Sequence, residues 1–175
     1  MRQIIEAITG EYRRYKKLSE DAMAQLEEAD LSRSGPANGN SIAVIAWHVS
    51  GNLTSRFTDF LSSDGEKPWR EREEEFRERT VTRAELLAKW NQGWDVLLKA
   101  LSTLNDADLA RTVTIRAQPL CVDEALLRSL AHTSYHAGQI VYVAKAFRGA
   151  GWRYLSIPPG QSAAYNAAPD KEKVR

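Results

Sequence analysis

The chain has 175 residues, with 24 basic and 23 acidic side chains and a formal net charge of +1. It therefore lacks the clustered cationic excess of a nucleic-acid-binding protein. A single cysteine, Cys121, excludes an internal disulfide framework and fits a reducing compartment. The length predicts one domain over residues 1–175, large enough to bury a sizeable core. Charges break up the apolar residues at the N-terminus (Met1 to Glu6), so no signal peptide is expected. No uninterrupted apolar stretch approaches the ~18 residues that a membrane span needs. The expectation is a cytoplasmic protein that binds neither nucleic acid nor membrane.

The first predicted helix covers residues 3–29, with Ile4, Ile5, Ile8, Tyr12, Tyr15, Leu18, Met23 and Leu26 on a helical period. Gly35-Pro36 and Asn38-Gly39 mark the connector from Ser32 to Asn40 as a turn. The second helix begins at Asn40 or Ser41, either of which can cap it, and runs to Leu61. Its surface is mostly apolar and central to the core, except for a stripe of His48, Asn52, Ser55 and Asp59. A polar stripe facing a core is costly unless partners satisfy it. His48 is thus either a core histidine satisfied by Asn52 or a backbone carbonyl, or a ligand.

Ser62 to Trp69 breaks that helix, and Asp64-Gly65 marks a tight turn. Arg70 to Arg79 is a mixed-charge run that reads as a solvated surface face, with Trp69 and Phe76 laid against the helices. The third helix has a capping box in Thr82 to Glu85 and continues to Leu104. Trp90 and Trp94 on it read as core rather than as walls of a ligand pocket. Thr112 to Arg116 alternates in β-branched residues and predicts a short extended segment or hairpin. The fourth helix starts between Cys121 and Asp123 and runs to Gly149. The tail beyond, above all 166–175, is expected to be mobile. The fold class is all-α, an antiparallel four-helix bundle with a long connection between the third and fourth helices.

His132 and His136 stand i, i+4 on the fourth helix, so their imidazoles share one face a turn apart. Were the second and fourth helices neighbours, His48 would join them. Three imidazoles leave room for water or substrate, the open arrangement of catalytic metal sites. Zinc and nickel accept such ligands, and iron or manganese also would.

The segments Trp47-His48-Val49-Ser50-Gly51-Asn52-Leu53, Arg56 to Leu61 and Asp64 to Trp69 resemble the DinB-like superfamily. The similarity is to an uncharacterised bacterial branch with an HxxGNLxxRFxDFLxxDGEKPWR motif. His132 to Tyr142 and Ser156 to Ser162 resemble further motifs of that branch. The resemblance implies a four-helix bundle, often dimeric, with a divalent metal on His48, His132 and His136. It also implies kinship with S-transferases and isomerases that use mycothiol, bacillithiol or glutathione. Asn52, Asp59, Tyr135 and Gln139 are then candidates for the groups that orient the imidazoles. Asn52, Tyr135 and Gln139 are also the candidates for orienting a small-molecule substrate beside a thiol cosubstrate. Asp59 lies ~16 Å along the helix from His48, so pairing with Arg56 or capping the far wall of the site suits it better than touching the metal. Asp59 and Glu66 are the only general bases on offer, whether for S-transfer or hydrolysis. The alternative is a non-catalytic stress-response or binding protein that its metal stabilises. A closed structural site needs a fourth ligand, and Cys121 stands about 16 Å from His132 at helical rise.

Overall fold

A computed structural model describes residues 4–169. The described residues form a mostly helical structure with one small two-stranded sheet. Four long helices dominate: α1 (Ile4–Met23), α3 (Ile42–Phe57), α5 (Arg83–Ser102) and α6 (Val122–Arg148). Three short ones, α2 (Glu28–Ser32), α4 (Arg72–Glu75) and α7 (Ser162–Ala167), lie in the connections and the C-terminal segment. Helix α3 packs on α5 and touches α6, while α1 packs on α6 and touches α5.

Each long helix starts where side chains can take its free N–H groups. The Asp106 carboxylate accepts from Ile4 and Ile5 N–H at 2.9 and 3.0 Å, fixing the start of α1. Ser41 Oγ accepts from Val44 N–H at 3.2 Å at the start of α3. Thr82 and Glu85 form the expected capping box of α5. At α6 the Glu124 carboxylate accepts from Cys121 N–H at 2.7 Å, and Asp123 Oδ1 accepts from Glu124 N–H at 2.7 Å, the donor that a capping hydroxyl would otherwise take.

The core explains why α3 tolerates Gly51 in its middle, a residue that costs ~1 kcal/mol against alanine. Ile42, Ile45, Leu53 and Phe57 are buried on this helix. Burial of one such side chain contributes about 1.5–3 kcal/mol, so packing outweighs propensity. Trp90 and Trp94 are buried core residues of α5. The buried Tyr12 ring packs edge-on against Phe57 and Trp94, and its hydroxyl donates to the Leu126 carbonyl at 3.0 Å, tying α1 to α6.

Two helix boundaries differ from the expectation. The first helix stops at Met23, and a turn leads into the separate α2 instead of a continuous helix to 29. Helix α3 ends at Phe57, not Leu61. Thr54 and Thr58 hydroxyls bond back to the carbonyls of Ser50 and Thr54, and Asp59 takes a left-handed φ of 48°. That conformation ends a right-handed helix. The C-terminal part of the expected mobile tail, from 170 onward, lies outside the described residues.

The extended segment is a hairpin of β1 (Thr112–Ile115) and β2 (Gln118–Cys121), antiparallel, with Thr112 opposite Cys121. Its turn residues Arg116 and Ala117 both have positive φ, 55° and 58°, where Asn-Gly is the usual pair. Asp64 offsets that strain, since its carboxylate accepts both turn N–H groups at 2.8 and 2.7 Å. It also accepts from Glu66 N–H, and these backbone bonds hold its pKa well below the usual range. The hairpin and the 64–66 loop are thus one unit.

Helices α3 and α5 approach closely at Gly93, where a Cβ would stand 2.6 Å from Ser50 Cα. Backbone cannot yield as a flexible side chain can. Gly93→Ala is expected to destabilise the fold by about 1–3 kcal/mol, read as a lower denaturant midpoint with an unchanged slope.

Candidate metal centre

Helices α3 and α6 bring His48, His132 and His136 together. His48 Nε2 and His136 Nε2 each stand 3.2 Å from His132 Nε2. The three ligating atoms lie within 4.8 Å of one another. Tetrahedral coordination at zinc–nitrogen lengths of about 2.0–2.1 Å places two imidazole nitrogens about 3.3 Å apart. The cluster matches that spacing and could hold a metal ion.

Glu75 Oε2 lies 2.9 Å from His48 Nδ1, and a carboxylate there only accepts, so Nδ1 carries the proton. Gln139 donates through Nε2 to the Tyr135 hydroxyl at 3.1 Å, which turns its Oε1 toward His136 Nδ1 at 2.7 Å. That ring is therefore also protonated at Nδ1. Both Nε2 atoms then present lone pairs, and His132 Nε2 has at most one proton to share between them. At least one close nitrogen pair is left without a hydrogen, a repulsion that a cation relieves. Burial, helped by the neighbouring imidazoles, lowers the His132 pKa to about 3. Burial lowers that of His136 as well, so both rings are neutral and free to ligate at pH 7.

Glu75 is the residue that sequence reasoning missed. It falls in the run read as a solvated face, yet the side chains of Arg70 and Glu75 are only 3% and 8% exposed. Arg70 grips the carboxylate with two bonds, Nε to Oε1 at 2.8 Å and Nη2 to Oε2 at 2.9 Å. Burial pushes the Glu75 pKa up, but the His48 and Arg70 bonds and the Arg70 charge outweigh it and leave it below the usual value. Phe76 lies on His48, ring centroids 4.6 Å apart, so the run covers the site. The available signal was Gly51, one turn from His48 in an otherwise buried helix. A Cβ at Gly51 would stand 2.6 Å from Glu75 Cδ, so only glycine lets the carboxylate reach His48.

The remaining candidates divide. Gln139 holds His136, and Tyr135 holds Gln139 while its ring stands edge-on to His136 at 5.1 Å. Asn52 holds no imidazole; it lines a small cavity of about 50 Å³ together with Arg56, Phe57, Ile115, Arg128 and His132. Asp59 does not belong to the site, because the end of α3 at Phe57 takes it off the polar stripe. Nor does it pair with Arg56, which binds Glu66 through Nη1 and Nη2, both at 3.1 Å. Arg116 donates to the same Glu66 oxygen at 3.0 Å, so Glu66 is a bridge between cations rather than a free base. Cys121 is exposed at the start of α6, outside the cluster.

A family model described as "Protein of unknown function (DUF1572)" matches residues 1–161. The chain belongs to that family. The match covers α1 to α6, hence all three histidines of this DUF1572 protein and the Glu75 that orients one of them. No curated protein and no solved structure matches the chain. Among the described residues, no helix is long and apolar enough to cross a membrane.

Gly51→Ala leaves every imidazole in place and displaces only the Glu75 carboxylate. Metal affinity, measured by competition with a chromophoric chelator, is expected to fall about 10- to 100-fold. Glu75→Gln should match it, and Gly138→Ala, whose Cβ meets nothing within 4 Å, should change nothing.

Proposed function

We propose that this protein is a divalent-metal-dependent enzyme of the DinB-like kind, with His48, His132 and His136 as its metal ligands. The observation that carries the proposal is the convergence of three Nε2 atoms, two of them with the ring's other nitrogen held by a bond. On this reading α1, α3, α5 and α6 are the antiparallel four-helix bundle of one domain spanning the chain. Zinc or nickel is the leading ion, with iron or manganese as further choices. The leading reaction is transfer to or from a low-molecular-weight thiol, and hydrolysis is the second.

His48, His132 and His136 would hold the ion, which when bound would supply Lewis acidity that makes a thiol or water beside it more acidic. The chain's own residues do the rest. Glu75, clamped by Arg70, fixes the tautomer of His48 and raises its basicity as a ligand. Gln139 and Tyr135 do the same for His136. Phe76 on the His48 ring keeps water from that side. Asn52, on the cavity wall beside His132, orients the substrate.

The protein acts in the cytoplasm as a homodimer on this reading. Leu127, Tyr135 and Tyr142, exposed along one face of α6, support pairing there.

The test is metal analysis of protein purified without a histidine tag, beside His132→Ala. About one equivalent per chain, lost in the variant, is the expected result and leads to screens of thiol transfer and hydrolysis. No metal in either sample, and no uptake of added zinc or nickel, would overturn the proposal. Metal without turnover in any screen would favour a non-catalytic, metal-stabilised protein.

A further inference from the structure

The small cavity beside His132 has a definite chemical character. Two arginines line it, Arg56 and Arg128, and no carboxylate does. Arg56 is already committed to Glu66 and to the Gly65 carbonyl. Arg128 is different: among the described residues its guanidinium has no ion-pair or hydrogen-bond partner. The nearest acid along α6, Glu124 one turn earlier, is engaged with Cys121 N–H. Arg128 stands one turn before His132 on α6, on the same face of the helix. Across the cavity Asn52 stands one turn after His48 on α3, and its carboxamide likewise has no partner among the described residues.

Two unpartnered donor groups, one from each histidine-bearing helix, therefore flank one opening that reaches the cluster at His132. The other walls include Phe57, Phe60 and Ile115, with the hydroxyls of Thr114 and Ser129 among them. A cationic fork, an amide donor and hydroxyls that can also donate, with no carboxylate among them, select a small anion. One unpaired guanidinium balances one negative charge, and its planar fork matches the two oxygens of a carboxylate. The volume of about 50 Å³ admits a group of that size, since one water needs about 10–15 Å³ of such space.

We infer that Arg128 and Asn52 form a carboxylate-recognition subsite, so that the substrate is a small molecule bearing a carboxylate next to the group that meets the metal. The inference rests on the metal-site reading above and adds the class of substrate. Asn52 and Arg128 act by binding and orientation, and neither takes part in proton transfer. The carboxylate binds Arg128 through charge-assisted hydrogen bonds, with Asn52 donating from the opposite wall.

The experiment is calorimetric titration of the zinc-loaded protein with mercaptoacetate and with its neutral isostere mercaptoacetamide, zinc content being measured before and after. Mercaptoacetate is expected to bind at least tenfold more tightly, and Arg128→Gln to remove that preference, a loss of about 10- to 100-fold for a charged hydrogen bond. Arg128→Lys, which keeps the charge and loses the fork, should retain part of it, and Asn52→Ala should reduce it. Arg111→Gln, at an exposed arginine paired with Asp108, should leave it intact. Because Arg128 is exposed and unpartnered, its variants should unfold at the wild-type temperature. Equal affinity for the two probes would overturn the inference. So would a preference that survives in Arg128→Gln, because the ion itself would then be taking the carboxylate. Protein that retains zinc but shows either result loses only the subsite, whereas protein that takes up no zinc loses the metal reading and the subsite together.

Discussion

A buried carboxylate is costly unless its charge is paired, and the rest of this site depends on how Glu75 is paired. Arg70 takes both of its oxygens, and His48 Nδ1 takes one of them again. Because the carboxylate cannot donate, His48 is left with its lone pair on Nε2, facing the two imidazoles of α6. Without Glu75, His48 would be free to carry its proton on Nε2 and donate toward His132. The bond thus leaves His48 able to act as a ligand beside His132 and His136 rather than as a donor to them.

The chain reaches this arrangement by a series of local constraints. Helix α3 must be bare at Gly51 for the carboxylate to pass. The segment after α3 must leave the helix early, which the left-handed Asp59 achieves. From there polar bonds lead back to the site. Asp64 holds the hairpin turn, Glu66 bridges Arg56 and Arg116, and Arg70 stands 3.8 Å from Glu66 on its way to Glu75. The hairpin between α5 and α6 therefore serves as an anchor for the loop that positions Glu75.

The helices and the histidines were legible because both obey the helical period. Ile4 to Met23, the Thr82 capping box and the His132–His136 spacing each carry their signal within a few residues. The short hairpin was legible from Thr112 to Ile115 by alternation. The role of Glu75 was not, because its run, from Arg70 to Arg79, has the composition of a solvated surface. What buries it is a contact with Gly51, 24 positions earlier, and no local pattern encodes such a contact. Asp59 failed for the opposite reason. The helical spacing from His48 was real in the sequence, but hydroxyls that bond back at Thr54 and Thr58 and the left-handed residue after them ended the helix first.

The measurement that tests the central claim most directly is X-ray absorption spectroscopy of the zinc-loaded protein. The account predicts three imidazole nitrogens at about 2.0–2.1 Å, with the outer-shell scattering of intact rings, and an oxygen donor completing the set. A sulfur scatterer at about 2.3 Å, or fewer imidazoles than three, would contradict it. The first of these would bring in Cys121, which the fold places outside the cluster, and the second would break up the cluster itself.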